Sequence, residues 1–260
     1  MKIEECFFVD SKLKDIQKKY CEFKFEKVVL SNNLQRKKYE GESNNYYKII
    51  KLKNKYRIYY RASNNEYMIN GKFNNNYNYD LENLCVAESN DGLNFDKINV
   101  NKNNIIKKKD FCHNFFPNYI NNKFMALSGT KLKDDGLHLF ESNDGLNWDL
   151  KNKILDENNI LQFFKHKNHF DTHNSINYNN LDKFYYLHTR HNNFDDKRKV
   201  QVIKTYDLKT LLDPELINID NNYNHEIYNL NVDKLNYHEY FVAIPNYGES
   251  KIIKNIDNKD

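Results

Sequence analysis

The same seven residues, Glu-Ser-Asn-Asp-Gly-Leu-Asn, occur twice in this sequence, at Glu88–Asn94 and again at Glu141–Asn147. An aromatic residue follows each copy, Phe95 after the first and Trp148 after the second. The copies start 53 residues apart (141 − 88), and a period of about 50 residues is typical of repeated supersecondary units such as propeller blades. Asn-Asp-Gly forms tight turns because glycine readily adopts positive φ. We therefore predict that each copy is the turn between the two outer strands of one blade.

The composition is typical of a β-rich globular protein. Hydrophobic residues make up 39% of the 260 residues, enough for a core, and the 20 Tyr and 17 Phe suit half-buried sheet surfaces. The net charge is only +4, and the one short basic run, Lys107–Lys109, is typical of a solvated loop. A nucleic-acid-binding surface would cluster its basic residues, so we expect no nucleic-acid partner.

The cysteines and the N-terminus bear on the cellular location. No CxxC pair occurs, so a zinc site built from thiolates is not expected. The opening residues, Met1–Cys6, lack the apolar stretch of a signal peptide, and no window approaches the apolar length of a membrane span. We expect a cytoplasmic protein, or one associated with a virion assembled inside a cell, with no membrane contact. The cysteines would then be free thiols; they are Cys6, Cys21, Cys85 and Cys112.

Strand signals dominate the chain, as short aromatic or β-branched runs separated by loops rich in Asn, Asp and Gly. One helix is expected at Ser11–Tyr20. The runs fall into four units, 39–99, 100–150, 161–214 and 221–260, with no linker between them, so we expect a single domain. The predicted strands are Tyr46–Leu52, Lys55–Ala62, Leu84–Glu88, Lys123–Ser128, Leu137–Glu141, Ile176–Tyr178, Lys183–Thr189, Lys199–Lys204 and Glu239–Ile244.

When the units are aligned, an ordered set of segments spans nearly the whole chain. The set comprises Phe7–Asp10, Tyr56–Arg61, Ala87–Gly92, Asn103–Ile106, His113–Pro117, Phe170–Asn174, Lys183–Arg190 and Ile244–Pro245. It resembles the five-bladed β-propeller glycoside hydrolases of families 43 and 32, the arabinanase, invertase and levansucrase type. Within that group it is most similar to a poorly characterised bacterial branch of glycosyl hydrolases. The resemblance implies an all-β fold and a carbohydrate substrate.

Two departures from the pattern of that family affect the expected architecture. Relatives continue well beyond the fourth unit, which here ends after its second predicted strand. The five-bladed ring is therefore expected to be either incomplete or closed by N-terminal strands from residues 5–30. The Trp-Met-Asn-Asp-Pro-Asn opening of invertases is also absent, so the nucleophile of that group has no counterpart here.

Glycoside hydrolysis needs two carboxyl groups, one on each side of the scissile bond. Innermost strands line the channel of a propeller, so the candidates are the acids at the starts of the units, Glu40, Asp171 and Glu226. The resemblance places Asp171 in a Phe-Asp-x-x-Asn element and implies that it acts as base or as the carboxylate that sets a neighbour's pKa. Glu226 is the candidate general acid and Glu40 the third acid. The alternatives are a turn-stabilising Asp171, a solvated Glu226 and an edge-strand Glu40.

Further residues of the matching segments are candidates for binding the substrate. Arg61 and Arg190 end the second strands of their units, where a guanidinium group could hold a sugar hydroxyl, carboxylate or sulfate. The alternative for both arginines is a salt bridge between blades. The remaining candidates for substrate binding are His113, Asn114, His173 and Asn174.

No cofactor is expected, apart from a structural calcium ion in the channel. His169, Asp171 and His173 alternate along the chain and could bind zinc or iron, which is a less favoured alternative. Trp148 is expected to anchor its blade and not to stack on a sugar. The sequence thus favours a glycosidase that acts on an oligo- or polysaccharide. A catalytically inactive carbohydrate-binding propeller and a propeller used for protein contacts are the alternatives, and the oligomeric state stays open.

Overall fold

The computed structural model describes residues 37–41, 43–63, 68–69, 72–74, 76, 78–100, 102–129, 136–156, 170, 173–192, 198–217, 226–234 and 241–248. Over these residues the protein is all-β, with two short 3₁₀ helices at Lys38–Glu40 and Tyr79–Leu81. The helix predicted at Ser11–Tyr20 and the N-terminal strands expected within residues 5–30 lie outside the described residues.

The first antiparallel sheet contains most of the strands between residues 43 and 108. The chain forms in turn β1 (Ser43–Lys51), β2 (Tyr56–Ser63), the small hairpin of β3 (Met68–Ile69) and β4 (Lys72–Phe73), β5 (Glu82–Ser89), β6 (Asp96–Lys97) and β7 (Ile105–Lys108). Strands β1, β2, β5 and β6 are neighbours in that order, and β7 pairs with β5. The sheet is thus a meander that starts at its β1 edge.

Three more antiparallel sheets follow along the chain in the same manner. In the second and third sheets, each strand pairs with the strand that follows it. The second sheet contains β8 (Phe116–Ile120), β9 (Lys123–Gly129), β10 (Gly136–Ser142) and β11 (Asp149–Asp156). The third contains β12 (Ser175–Tyr178), β13 (Tyr185–Asn192), β14 (Arg198–Thr205) and β15 (Glu215–Leu216), and the fourth contains β16 (Glu226–Lys234) and β17 (Phe241–Gly248).

The first strands of the four sheets lie next to one another. Strand β8 contacts both β1 and β12, and β12 also contacts β16. Between β8 and β12, Phe116 contacts His173 and, further along both strands, Asn118 contacts Ile176. Between β1 and the segment leading into β8, Tyr46 contacts His113 and, further along, Lys48 contacts Phe116. Strands β1, β8 and β12 therefore run in the same direction. We call the end where they begin the upper mouth (Tyr46, His113, His173) and the end where they finish the lower mouth. The described ranges do not show a closed ring of five blades.

Both copies of the repeated heptamer form the predicted turn. Glu88–Asn94 connects β5 to β6, and Glu141–Asn147 connects β10 to β11, the two outer strands of their sheets. Gly92 and Gly145 have φ values of 78° and 73°. In each turn a serine hydroxyl accepts the glycine N–H, and an aspartate carboxylate accepts the next two N–H groups. The backbone N–H groups of the turn, which have no partner in the sheet, are thereby hydrogen-bonded.

The predicted strands are present where the structure describes them, with ends that shift by a few residues. The segment Asn103–Ile106 was predicted to begin the second unit, and this prediction is wrong, because Ile105 begins β7 in the first sheet. The physical reason is that β6 is short and pairs with only Ala87 and Glu88 of β5. Strand β7 covers the remaining edge of β5, whose N–H and C=O groups would otherwise be unpaired.

Hydrophobic cores fill the spaces between neighbouring sheets. Aromatic side chains dominate the core between the first and second sheets, where Trp148 packs against Phe115 with ring centroids 4.9 Å apart. The indole N–H of Trp148 donates to the Gly145 carbonyl at 3.2 Å. The predicted role of Trp148 as a blade anchor is confirmed. Aliphatic side chains dominate the core between the second and third sheets, among them Leu127, Leu137, Ile176 and Leu187.

Candidate functional site at the upper mouth

Three aromatic side chains from three sheets meet at the upper mouth. The ring of Tyr46 lies edge-on to the rings of His113 and His173, with centroid distances of 5.6 Å and 4.4 Å. Phe116, at the start of β8, stacks on His173 at 4.6 Å, and the Lys48 ammonium lies 4.7 Å above the Phe116 ring. The three strand starts are therefore held together by ring contacts, which fix their relative positions.

Beside these rings lies a buried charged network that joins the first and second sheets. An oxygen of the Glu82 carboxylate is 2.7 Å from His113 Nδ1 and 3.4 Å from Arg61 Nη1. Arg61 Nε donates to Asn45 Oδ1 at 2.6 Å, and the guanidinium carbon lies 4.2 Å from the centre of the Tyr46 ring. Glu82 is 1% exposed and Arg61 3%, so each charge depends on the other inside the protein.

The imidazole of His113 has a defined arrangement in this network. Its Nδ1 faces the Glu82 carboxylate, which can only accept a hydrogen bond. The same nitrogen lies 2.6 Å from Arg61 Nη1, which can only donate one, and Nε2 lies 3.2 Å from that guanidinium nitrogen. The ring is thus held between the Arg61 guanidinium group and the Glu82 carboxylate.

Sequence reasoning missed Glu82. The search for acids covered only the innermost strands, whereas Glu82 opens β5, the third strand of its sheet. A signal was present, because Glu82 lies two residues before the apolar run that begins at Leu84. It also pairs across the sheet with Ser63, two residues beyond Arg61. An arginine and a glutamate at neighbouring ends of paired strands are placed to form an ion pair.

Asn114 connects the second sheet to the third. Its amide nitrogen donates to the carbonyl of Phe170, which also accepts from Asn174 at 3.0 Å. Its carbonyl oxygen accepts from Ser128 Oγ at 2.9 Å and from the Gly129 N–H at 3.0 Å. Asn114 and Asn174 are both buried. These bonds fix the backbone of Phe170, the residue that precedes Asp171 in the sequence, at the upper mouth.

Two of the predicted catalytic acids, Asp171 and Glu226, have side chains outside the described part of the structure. Asp171 lies outside the described residues, as does His169, so the His-x-Asp-x-His metal cluster lies partly outside them as well. Glu226 is the first residue of β16, and its backbone pairs with Gly248 of β17. Within the part of the chain that the structure describes, no group of three or more His, Cys, Asp or Glu side chains is arranged to hold a metal ion.

The third predicted acid, Glu40, lies elsewhere. Its carboxylate accepts hydrogen bonds from Lys97 and Tyr60, from the Lys37 N–H at 2.6 Å and from Asn104 at 3.2 Å. Burial raises the pKa of Glu40, but the hydrogen bonds and the charge of Lys97 outweigh it, so the pKa lies below its usual value. Tyr60 and Arg61 are consecutive in β2 and point to opposite faces of the sheet. The structure therefore does not bring Glu40 together with the Arg61 network.

Arg190 occupies the position in the third sheet that Arg61 occupies in the first. It lies in β13, pairs with Val200 of β14 and is 4% exposed. Two residues earlier, His188 pairs with Ser175, the first residue of β12, and its Nδ1 is 3.5 Å from Ser175 Oγ. Burial lowers the pKa of His188 to about 4. The imidazole is therefore neutral near pH 7 and adds no charge to this region.

A membrane-spanning helix is not found among the described residues, since no helix there is both long and apolar enough to cross a bilayer. The two cysteines that the structure describes, Cys85 and Cys112, are buried free thiols. Burial raises the pKa of both thiols above the usual range, so neither is a reactive thiolate at neutral pH.

Comparisons with known proteins bear on the fold. No protein-family profile and no curated protein matches the sequence. Among solved structures, the chain is similar to a glycoside hydrolase with a TM-score of 0.51 and 11% identity, covering 88% of this chain and 71% of that one. It is also similar to Zg3597, a family 117 glycoside hydrolase of Zobellia galactanivorans, with a TM-score of 0.48 and 11% identity over 84% of this chain and 70% of that one.

A third similar structure is a candidate glycosidase of Bacteroides thetaiotaomicron, with a TM-score of 0.41 and 16% identity over 65% of this chain. The chain spans about half of that protein, 49% of its length. At identities this low, likeness reflects the fold alone. The fold comparison rests on the glycoside hydrolase with a TM-score of 0.51. The resemblance to glycoside hydrolases that the sequence indicates is confirmed at that level.

Proposed function

We propose that this protein is a glycoside hydrolase that cleaves an oligo- or polysaccharide at the upper mouth, with Asp171 and Glu226 as its catalytic carboxyl groups. The observation that carries the proposal is the convergence of three strand starts on one polar, tightly packed end of the molecule. Ring contacts join Tyr46, His113 and His173 there. The similarity in fold to a glycoside hydrolase supports the same conclusion.

The proposed chemistry needs one carboxyl group to protonate the leaving oxygen and one to act as base or nucleophile. Asp171 directly follows Phe170, whose carbonyl Asn114 and Asn174 hold at the upper mouth. Glu226 begins β16, and β16 contacts β12. If the fourth sheet repeats the strand order of the sheets before it, its first strand, β16, starts at the same end as β1, β8 and β12. The two acids would then face each other from adjacent sheets.

The buried polar residues at this end would form the floor of the site. Arg61 and His113 are held by Glu82, and preorganised donors of this kind stabilise charge without rearranging during the reaction. We propose that Arg61, Arg190, His113, Asn114, His173 and Asn174 position the sugar in this way. The contacts of Glu40 with Lys97 and Tyr60 favour a structural role for this third acid.

The proposal extends to the architecture. We propose that the four sheets are blades of a five-bladed propeller whose ring is closed by strands from residues 5–30. Tyr47 and Ile49 of β1 are each 47% exposed, and Tyr47 packs on Tyr60, on the face of the first sheet away from the second. Another blade would cover this hydrophobic face. Deletion of residues 1–30 is then expected to lower the melting temperature, and an unchanged melting temperature would contradict closure by that segment.

We also propose that the protein works inside a cell or in a particle assembled there. The buried thiols of Cys85 and Cys112 support this location, because free cysteines are usual in reducing compartments. The substrate would then be a carbohydrate present in that compartment, with no nucleic acid involved.

The experiment that tests the function is a screen of chromogenic glycosides and oligosaccharides with the wild type, Asp171→Asn and Glu226→Gln. Glu88→Gln is the matched control, since Glu88 pairs with Arg57 outside the upper mouth. We expect turnover by the wild type and the control, and its loss in both site variants. Sugar binding without turnover that Asp171→Asn leaves unchanged would indicate a carbohydrate-binding propeller. No turnover and no binding would indicate a propeller used for protein contacts.

A further inference from the structure

A cavity of about 450 Å³ opens at the lower mouth, where β1, β8 and β12 finish. It lies at the opposite ends of the inner strands from the upper mouth, and the five residues of β8 span roughly 13 Å, four steps of 3.3 Å. Ligand sites in proteins are concave and of about this size, with apolar walls and a few polar groups. The cavity therefore qualifies as a binding site that is distinct from the proposed catalytic one.

The lining of the cavity is aromatic, aliphatic and amidic. Isoleucines form part of its wall, and the polar side chains are those of asparagines, tyrosines and one lysine. None of its described lining residues is an aspartate or glutamate, so hydrolysis by a carboxyl pair has no residues to perform it there. The residues that the argument uses are Tyr56, Tyr119, Tyr178, Asn118, Asn177 and Lys51.

These residue types suit a sugar. A tyrosine presents a flat apolar face and a hydroxyl at its edge, which match the C–H face and the hydroxyl rim of a pyranose or furanose ring. An asparagine amide both donates and accepts hydrogen bonds, and so it matches adjacent hydroxyl groups. Tyr119 is 44% exposed and forms an accessible platform at the edge of the cavity. Lys51, the one charged side chain among the described lining residues, lies over the Tyr56 ring, 6.0 Å from its centroid. The other lining groups are uncharged, which favours a neutral ligand.

The walls are fixed before a ligand arrives. Tyr119 packs on Phe124 with a centroid distance of 4.8 Å, and Tyr178 packs on Tyr185 at 4.7 Å. The amide nitrogen of Asn118 donates to the Ile176 carbonyl at 2.6 Å and to Asn177 Oδ1 at 3.2 Å. Both bonds use the nitrogen, so the carbonyl oxygen of Asn118 can accept from a ligand. Groups already held in place lose little conformational entropy on binding.

We propose that the lower mouth is a second saccharide site, which binds a neutral sugar unit and does not cleave it. Such a site would hold a carbohydrate chain on the protein while the upper mouth acts on another part of it or on another chain. The inference stands apart from the proposed hydrolase activity, because its residues and its position are different.

The test is isothermal titration calorimetry of the Asp171→Asn/Glu226→Gln double variant with neutral gluco-, manno-, galacto- and arabino-oligosaccharides. In this background the proposed hydrolysis cannot consume the ligand. We expect binding by at least one series, weakened about tenfold by Tyr119→Ala, since a lost aromatic contact has about that effect. Tyr119→Phe keeps the platform and should retain binding, and Tyr206→Ala removes a comparably exposed tyrosine elsewhere, 57% exposed, without effect.

The outcomes separate this inference from the proposed function. Binding that depends on Tyr119 supports the site whether or not the wild type shows turnover. Binding that is unchanged by Tyr119→Ala and lost in Arg61→Lys would place the sugar at the upper mouth and overturn the inference. The absence of binding by all four series would overturn the site itself.

Discussion

Gly145→Ala should destabilise the protein more than Gly92→Ala, although the two glycines occupy the same position in identical heptamers. Both have positive φ, 73° and 78°, and a residue with a Cβ pays about 1–2 kcal/mol for that conformation. At position 92 the added methyl group would lie 3.3 Å from the Tyr56 ring, a contact that a small movement relieves. Gly92→Ala is therefore expected to cost about 1–2 kcal/mol, the conformational part alone.

The surroundings of Gly145 leave no such room. A methyl group there would lie 2.4 Å from both Arg57 Nη1 and Tyr59 Oη. Neither side chain can move freely, since Glu88 binds Arg57 at 2.6 Å and Tyr59 donates to the Gly145 carbonyl at 3.0 Å. Overpacking of a filled site costs a further 1–3 kcal/mol or so. Gly145→Ala should thus lower the free energy of unfolding by about 2–5 kcal/mol, taking both costs together.

Thermal and urea unfolding of the two variants beside the wild type measure this difference. One kcal/mol corresponds to roughly 2–4 °C in the melting temperature of a domain near this size, so the melting temperature of Gly145→Ala should lie several degrees below that of Gly92→Ala. Equal losses would refute the reasoning, because they would show that positive φ alone sets the cost and that the contacts around Gly145 contribute nothing.

Two further predictions concern buried charge. Glu82→Gln removes the carboxylate from the buried Glu82–Arg61 pair, and loss of one partner of a buried pair costs about 3–5 kcal/mol. The control Glu88→Gln affects a carboxylate with an 18% exposed side chain and should cost less, because water reaches that group. Urea denaturation compares the two, and a smaller loss for Glu82→Gln than for Glu88→Gln would contradict the network. Burial lowers the pKa of His188 from 6.5 to about 4, so the unfolded chain binds more protons between these values and stability should decrease as the pH falls from 6.5 to about 4. His188→Gln should reduce this dependence in melting temperatures measured across that range, and an identical slope in the variant would count against a neutral, buried His188.

The repeated heptamer and the strands could be predicted because their causes are local. Glycine at positive φ, the side chains of the turn and the alternation of apolar residues all act within a few positions of the chain. Both copies of the heptamer accordingly form the expected turn between β5 and β6 and between β10 and β11. The position of Trp148 follows from the same local reasoning, since the turn places it at the core between the first and second sheets.

Pairings between distant segments could not be predicted in the same way. The Glu82–His113 contact joins residues 31 positions apart and the Arg61–His113 contact joins residues 52 apart, and both depend on the packing of one sheet against the next. Glu40 begins its unit as expected, but a 3₁₀ helix directs its carboxylate to Tyr60 and Lys97. Strand β7 joins the first sheet because β6 leaves part of β5 uncovered, which residue order alone does not indicate.

The separation of the Asp171 and Glu226 carboxyl groups tests the central claim most directly. We would measure it in a crystal structure of the Asp171→Asn variant with an oligosaccharide bound, where the side-chain amide introduced by the substitution marks the position of the carboxyl group. A hydrolase requires the two groups on either side of one glycosidic bond, at roughly 5–9.5 Å. We expect a separation in that range, with the sugar at the upper mouth beside Arg61 and His113. A separation of more than about twice the upper limit of that range would contradict the account, since no single bond could lie between the two groups.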